Sequence, residues 1–431
     1  MNWPITRLRY VADLNPAMRD DLRYRPDAEV SFLPMEAIGE NGSINLERLR
    51  PVSEVRNGYS YFEDGDVAFA KVTPCFENGK GALMRGLALG AGFGTSELTV
   101  LRPKPTTDAR FLDYVIRSEP FRQHGAGAMT GAGGLKRVPD EFTRDFKTPW
   151  PGTVEQQRIA NFLDEQTARI DALIAEKEAL IERLAESEAS QILALVTGAR
   201  QENLESLNPH APNPAHLPQG WKLPALARLV SKLTNGFVGP TRDILVTEGV
   251  RYLQSLHIKA GTIDFGRGEY FVAPEWSLQH EKSILAKNDI LIVQTGDIGQ
   301  TALVADEFVG CNCHALIIAR PRTELVLPAF LELVLRSAYG RAAFDIYSTG
   351  ALHPHLNCSN IRDIRIPCPP IQEQEQTVAK ASVIQENHRA LSSHTLRHID
   401  RLQEYRSSLI SAAVTGQLNI DDFGARQLEA A

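Results

Sequence analysis

Two long stretches of this chain place apolar residues at helical spacing, and each follows a longer segment of short apolar runs broken by Gly and Pro. In the first, beginning at Pro151 and ending near 199, Ile159, Phe162, Leu163, Ile170, Leu173, Ile174, Leu180, Ile181 and Leu184 recur at three- and four-residue steps with charged residues between them. That is the pattern of a helix with one apolar stripe. The second, 369–416, places Leu391, Ile399, Leu402, Leu409 and Ile410 likewise, with a more polar start. Pro149 and Pro151 keep the chain extended ahead of the first helix, and Thr153 followed three residues later by Gln156 predicts a capping box. The second helix follows Pro369-Pro370 without a Ser/Thr cap. Helices of this length span on the order of 60 Å, too long to lie across one small domain. Each therefore needs a partner along its length, and antiparallel pairing of the two as a rigid spacer meets that need.

The segments before the helices, 1–150 and 221–368, carry β-rich runs such as DVAFAKV, LTVLRP, DILIVQ and HALIIARP. Each adds one clear helix, around 111–118 and 330–337, which predicts an α+β fold. Residues 200–220, rich in Asn, Pro and His, read as a linker ending where Trp221 opens the second domain, and 417–431 as a tail.

These four parts are two copies of one unit. Glu155-Gln156 returns as Glu373-Gln374 and Val196-Thr197-Gly198 as Val414-Thr415-Gly416, both at an offset of 218 residues. FLDYVIRS from Phe111 is echoed by FLELVLRS from Phe330. Arg144-Asp145-Phe146 is echoed by Arg362-Asp363-Ile364, and Gly65-Asp66-Val67 by Asn288-Asp289-Ile290. A period this long means duplicated domains, not a solenoid.

Composition adds exclusions. With 43% hydrophobic and 23% charged residues the chain is an ordinary globular protein. No stretch reaches about 18 uninterrupted apolar residues and the N-terminus has no signal-like run, so a cytoplasmic place is expected. Five cysteines without a C-x-x-C pair fit reduced thiols, and Cys311-x-Cys313-His314 has the wrong spacing for a zinc knuckle, so no metal is expected. A net charge of −7 argues against coating nucleic acid by bulk electrostatics. Residues 155–197, however, hold nine acidic against four basic residues, so the first helix carries most of that excess. The second balances five bases against five acids and adds His388, His394 and His398, so it does not repel the first.

This arrangement resembles the specificity (S) subunit of type I restriction-modification systems. The resemblance is carried by Pro151-x-x-x-Glu155-Gln156-x-x-Ile159-Ala160, Ile170-Asp171-x-Leu173-Ile174 and Val196-Thr197-Gly198, then Pro369-Pro370-x-x-Glu373-Gln374 and Val414-Thr415-Gly416. It covers essentially the whole chain. One departure is that the second helix shows His388-Arg389-Ala390-Leu391 where the first has its Ile-Asp-x-Leu-Ile segment. The resemblance implies two target-recognition domains, 1–150 and 221–368, and two conserved spacer helices, 151–199 and 369–416. It implies a non-catalytic reader of double-stranded DNA that needs no cofactor itself. Its partners would be two modification subunits, which methylate adenine with S-adenosylmethionine, and two restriction subunits, which use ATP and Mg.

Absent motifs agree: there is no Asn/Asp-Pro-Pro-Tyr/Phe tetrapeptide and no P-loop, and Phe265-Gly266-x-Gly268 lacks a strand-to-helix context. A self-contained methyltransferase is thereby disfavoured, while a coiled-coil scaffold without sequence-specific DNA binding stays as the alternative. The expected DNA-reading residues are loop side chains suited to base edges or phosphates. In the first domain these are Lys71, Thr73, Asn78, Lys80, Thr130, Lys136 and Arg137. In the second they are Gln294, Thr295, Gln300, Thr349, His353, His355 and Asn357. Partner docking is expected at Glu155, Gln156, Glu178, Glu182, Glu373 and Gln374.

Overall fold

The computed structural model describes residues 3–132, 134–199, 217–350, 355–421 and 423. The chain divides into two compact units, Met1–Glu178 with Leu396–Ala431, and Ala179–Thr395. Both are α+β, and each contains one end of each long helix, Thr153–Thr197 and Ile371–Val414.

In the first unit an antiparallel sheet orders its strands Ala12–Leu14, Leu98–Pro103, Val67–Ala70, Gly81–Leu83. Its central strand is buried throughout, because both faces are covered. Val67 and Phe69 face a core shared with the helix Ala109–Arg117, while Ala68 and Ala70 face a core shared with Leu33, Ile38 and Phe62 of a second sheet region. That second sheet runs Leu49–Pro51, Glu29–Leu33, Ala91–Gly94, Ser60–Glu63, with its middle pair parallel. The helix Ala109–Arg117 packs its other side on the long helices: Phe111, Leu112 and Val115 share their core with Ile159, Leu163 and Ile170 of the first and Leu409, Ile410 and Val414 of the second.

The second unit repeats this plan. Its antiparallel sheet runs Val230–Asn235, Leu316–Pro321, Ile290–Val293, Thr301–Leu303. Ile290 and Ile292 face the helix Pro328–Arg336, and Leu291 and Val293 face the second sheet. That sheet again has one parallel pair, Val250–Leu253 with Asn312–Cys313. Here the end of the first long helix (Ile192, Val196) meets the start of the second (Ala381, Val378). The start of each long helix thus packs with the end of the other, which makes them antiparallel. Arg406 pairs with Asp171 through two contacts of 2.9 and 3.2 Å in the first unit, and Gln191 lies 3.3 Å from His388 in the second.

The recurring sequence landmarks have matching structural tasks. Gln156 and Gln374 are buried. Gln156 donates to the Pro151 carbonyl and accepts from the Asp108 amide, both at 2.8 Å. Gln374 donates to the Pro369 carbonyl and accepts from the Leu327 amide, also at 2.8 Å. Each glutamine thus sews the start of a long helix to the N-cap of the short helix packed on it. Gly198 and Gly416 end the long helices in the left-handed region, φ 66° and 74°. An added Cβ on Gly198 would fall 2.4 Å from Pro218 and 3.3 Å from Trp221, and one on Gly416 would fall 3.1 Å from Trp3. Asp66 and Asp289, each following a left-handed residue, are buried and hold Arg102 and Arg320 through paired bonds of 2.7 and 2.8 Å. Removing either arginine would strand a buried carboxylate, at a cost of about 3–5 kcal/mol.

Several expectations need correction. Thr153 and Gln156 form no capping box: Thr153 donates to the Thr106 carbonyl and Gln156 turns inward, because tertiary partners outcompete the local cap. Each domain has two helices at the expected position, since Ser118 and Ser337 turn the chain into Glu119–Ala128 and Ala338–Tyr347. Leu173 and Leu391 lie exposed, outside the apolar seam. No helix among the described residues is long and apolar enough to cross a membrane.

Candidate nucleic-acid interface

In each unit the two polar segments singled out from sequence come together at one end of the antiparallel sheet. In the first, strand Val67–Ala70 runs into Lys71–Lys80, and an exposed hairpin pairs Thr130–Ala132 with Leu135–Arg137. The two are laced by backbone: Thr73 N donates to Lys136 O at 3.0 Å, and Val138 N to Lys71 O at 2.8 Å. The Thr73 hydroxyl donates to Gly134 O at 2.9 Å and accepts from Lys136 N at 3.0 Å. In the second unit, Ile290–Val293 runs into Gln294–Gln300, and Leu356 N donates to Gln294 O at 3.0 Å. Thr349 and His355 exchange backbone bonds of 3.0 and 2.8 Å beside them.

The side chains differ in availability. Asn78, Thr130, Lys136, Thr295 and Thr349 are exposed, and Lys71 and His355 are half-buried. Lys80 donates to the Met35 carbonyl at 3.3 Å. Arg137 makes a two-pronged pair with Glu97, at 2.8 and 2.6 Å, which holds the Glu97 carboxyl below the usual range. Gln300 accepts from Ala260 N at 3.1 Å and donates to Asp297 at 2.8 Å. Asn357 caps Cys358–Ile361 by accepting from Asn360 N at 2.9 Å. Gln294 is buried, so in this geometry its amide is withheld from the surface. His353 lies outside the described residues.

The docking candidates divide too. Glu178 and Glu182 are exposed on the first long helix. Glu155 accepts from Arg158, and Glu373 accepts from the Trp221 indole at 3.0 Å. Gln156 and Gln374 are spent inside the fold and present no surface. Cys313 is fully buried and Cys311 nearly so, and burial pushes the Cys311 thiol up to about 11, which opposes the thiolate a metal would need. Phe265–Arg267 is a short turn capped by Asp264, without the helix a phosphate loop requires.

Sequence reasoning missed a set of arginines. Arg117 and Arg336 end the paired short helices, and each reaches over a buried acid on the same helix, Asp113 at 3.1 Å and Glu332 at 3.0 Å. Each also packs under a left-handed glycine, Gly42 or Gly261. Five residues on, Arg122 and Arg341 lie under Gly79 and Gly299 of the sheet-end loops. The detectable signal was the recurrence of both arginines at one offset, 219, the first inside the echo of FLDYVIRS and FLELVLRS and the second just beyond it.

The chain is similar to known proteins over most of its length. The family described as "Type I restriction modification DNA specificity domain" matches residues 243–396. The type I restriction enzyme EcoAI specificity subunit of Escherichia coli is 26% identical, over 88% of this chain and 76% of its own. The Escherichia coli EcoEI specificity subunit is 34% identical over 48% of this chain and 34% of its own length. A chain solved in a study of complex assembly and conformational transition of the type I R-M system matches with TM-score 0.69 at 19% identity, covering 96% of this chain and 98% of that one. The HsdS subunit from Thermoanaerobacter tengcongensis matches with TM-score 0.55 at 20% identity, covering 96% and 97%. With the duplicated Glu-Gln and Val-Thr-Gly landmarks and the two repeated α+β units, the chain is similar over most of its length to the type I restriction-modification specificity subunits.

Proposed function

We propose that this chain reads a bipartite, asymmetric DNA site, one half with each unit, and recruits the modification and restriction subunits that act there. The observation that carries the reading is the pair of laced loops at the sheet end of each unit. They sit on one duplicated framework, yet offer Lys71, Asn78, Thr130 and Lys136 in one unit and Thr295, Thr349 and His355 in the other. A shared frame with different hydrogen-bonding side chains suits two unlike half-sites, because base edges are told apart by donor and acceptor pattern.

On this reading the chain, like the relatives named specificity subunits, is itself non-catalytic. On this reading it holds no cofactor, and S-adenosylmethionine, ATP and Mg belong to cytoplasmic partner subunits. Two near-equivalent helix ends suit two modification subunits per chain, related by a pseudo-twofold axis. The test is to map methylated adenines in cells carrying the assembled system. A motif of two unlike specified parts around an unread gap is expected, and a continuous or palindromic motif would refute the reading.

A further inference from the structure

Resting on that reading, we propose that Arg122 and Arg341 are positioning residues for DNA recognition, bracing from beneath the loop that each unit presents and not touching DNA themselves. The loops share almost no sequence, KVTPCFENGK against QTGDIGQ, yet both keep a left-handed glycine, Gly79 at φ 78° and Gly299 at φ 75°. A Cβ on Gly79 would lie 3.0 Å from Arg122 Nη1, and one on Gly299 would lie 3.4 Å from Arg341 Nη1. The guanidinium therefore lies against the turn in both copies, pressed on Gly79 in the first and at van der Waals contact beside the Phe344 ring in the second.

The helical corner that delivers each arginine is fixed in the same way. Ser118 and Ser337 hydroxyls donate to the Val115 and Val334 carbonyls, both at 2.7 Å, and Arg122 N and Arg341 N donate to the Ser118 and Ser337 carbonyls at 3.1 and 3.0 Å. Beside the arginine an aromatic ring plugs the seam, from opposite sides in the two units. Phe76 of the loop fills the space over Gly125 of the helix, 2.3 Å from where a Cβ would be. Phe344, at the matching helix position, fills the space over Gly299 of the loop, 2.7 Å from its would-be Cβ. The ring comes from the loop in one unit and from the helix in the other, while the seam has stayed filled. Two divergent copies conserving a filled seam and an arginine under a strained turn points to a fixed loop height.

A reading loop needs that fixity, because base contacts tolerate displacements of only about 0.5 Å. Arg341 Nη1 is already spent on the Ile298 carbonyl at 2.7 Å, and Arg122 Nε is buried without a hydrogen-bond partner. Arg341 is thus held by the loop itself, through the Ile298 carbonyl and a 3.8 Å pairing with Asp297.

The test uses the full chain assembled with its modification subunits, carrying Arg341→Ala, Arg341→Lys, Arg122→Ala or Thr295→Ala. Binding is measured to the cognate duplex and to duplexes with single-base changes in either half, over a range of salt. Arg341→Ala should lower discrimination roughly tenfold in its own half-site only, the scale of one base contact. Its salt slope should be unchanged. Arg341→Lys, which keeps one donor for Ile298, should recover most of it, and Arg122→Ala should act on the other half. Should the alanine variant not fold, Arg341→Gln takes its place. Equal weakening for all sequences with a slope reduced by about one would make the arginine a phosphate contact and overturn the proposal. Discrimination eroded by Thr295→Ala but not by Arg341→Ala would refute the brace alone. If neither erodes it, the loop assignment itself fails.

Discussion

Lys136 and Arg137 are neighbours in sequence, but the grip of Glu97 on Arg137 gives them different tasks. Lys136 is exposed at the hairpin and free to meet a phosphate, so Lys136→Ala in the assembled complex should weaken binding to every sequence and reduce the salt slope by about one. Arg137→Ala should leave the slope near wild type and loosen the 97–137 contact instead. Titrating both variants against salt checks the distinction, and identical slopes for Lys136→Ala and wild type would make Lys136 a solvated turn residue. Asp113 offers a second test. Burial raises its pKa by more than Arg117 beside it lowers it. The folded state therefore binds this proton more tightly than the unfolded chain does. The resulting stability is present below the unfolded value of about 4 and is lost as pH rises toward the folded one. Asp113→Asn should flatten that fall, seen as a smaller loss of Tm between pH 4 and pH 7. A variant whose Tm tracks wild type across that range would count against it.

At the scale of elements, the end of each long helix depends on a glycine pressed by the start of a domain. Gly198→Ala forces a left-handed alanine, about 1–2 kcal/mol, and adds a 2.4 Å clash with Pro218. Gly416→Ala carries the same backbone cost with only a 3.1 Å approach to Trp3. Chemical denaturation should rank Gly198→Ala as the less stable of the two, and the reverse order would show that the clash is relieved. Much of this level was legible in the chain. DVAFAKV and HALIIARP announced β-strands, and the constant offset located both long helices. The role of the landmarks was not legible. Gln156 looks like a surface or capping residue until its partner at Asp108, 48 residues away, is known. Likewise nothing in Thr73 or Lys136 alone reveals that they share a bond across 63 residues. Local spacing reports periodicity and caps, whereas the loop pair that forms the candidate site is a product of strand order.

For the whole molecule, the proposed function makes the long helices a ruler. Inserting residues into one of them should change the unread gap of the methylated motif while leaving both half-sites intact, read by mapping methylated adenines. A change in the specified bases would refute a pure spacer. The bond between Asp171 and Arg406 has a further consequence once the copies are laid over one another. At the 218-residue offset, Asp171 corresponds to Arg389, and Glu188, which lines the same 470 Å³ cleft as Arg389, corresponds to Arg406. The first copy is acidic at both positions and the second is basic at both. Two first helices laid antiparallel would set acid against acid, and two second helices base against base, so only unlike copies attract. Asp171→Arg should destabilise the fold by about 1–2 kcal/mol, and Arg406→Asp in the same chain should restore most of it. Charge thus acts as a mating type, telling each half to choose its opposite and refuse its twin.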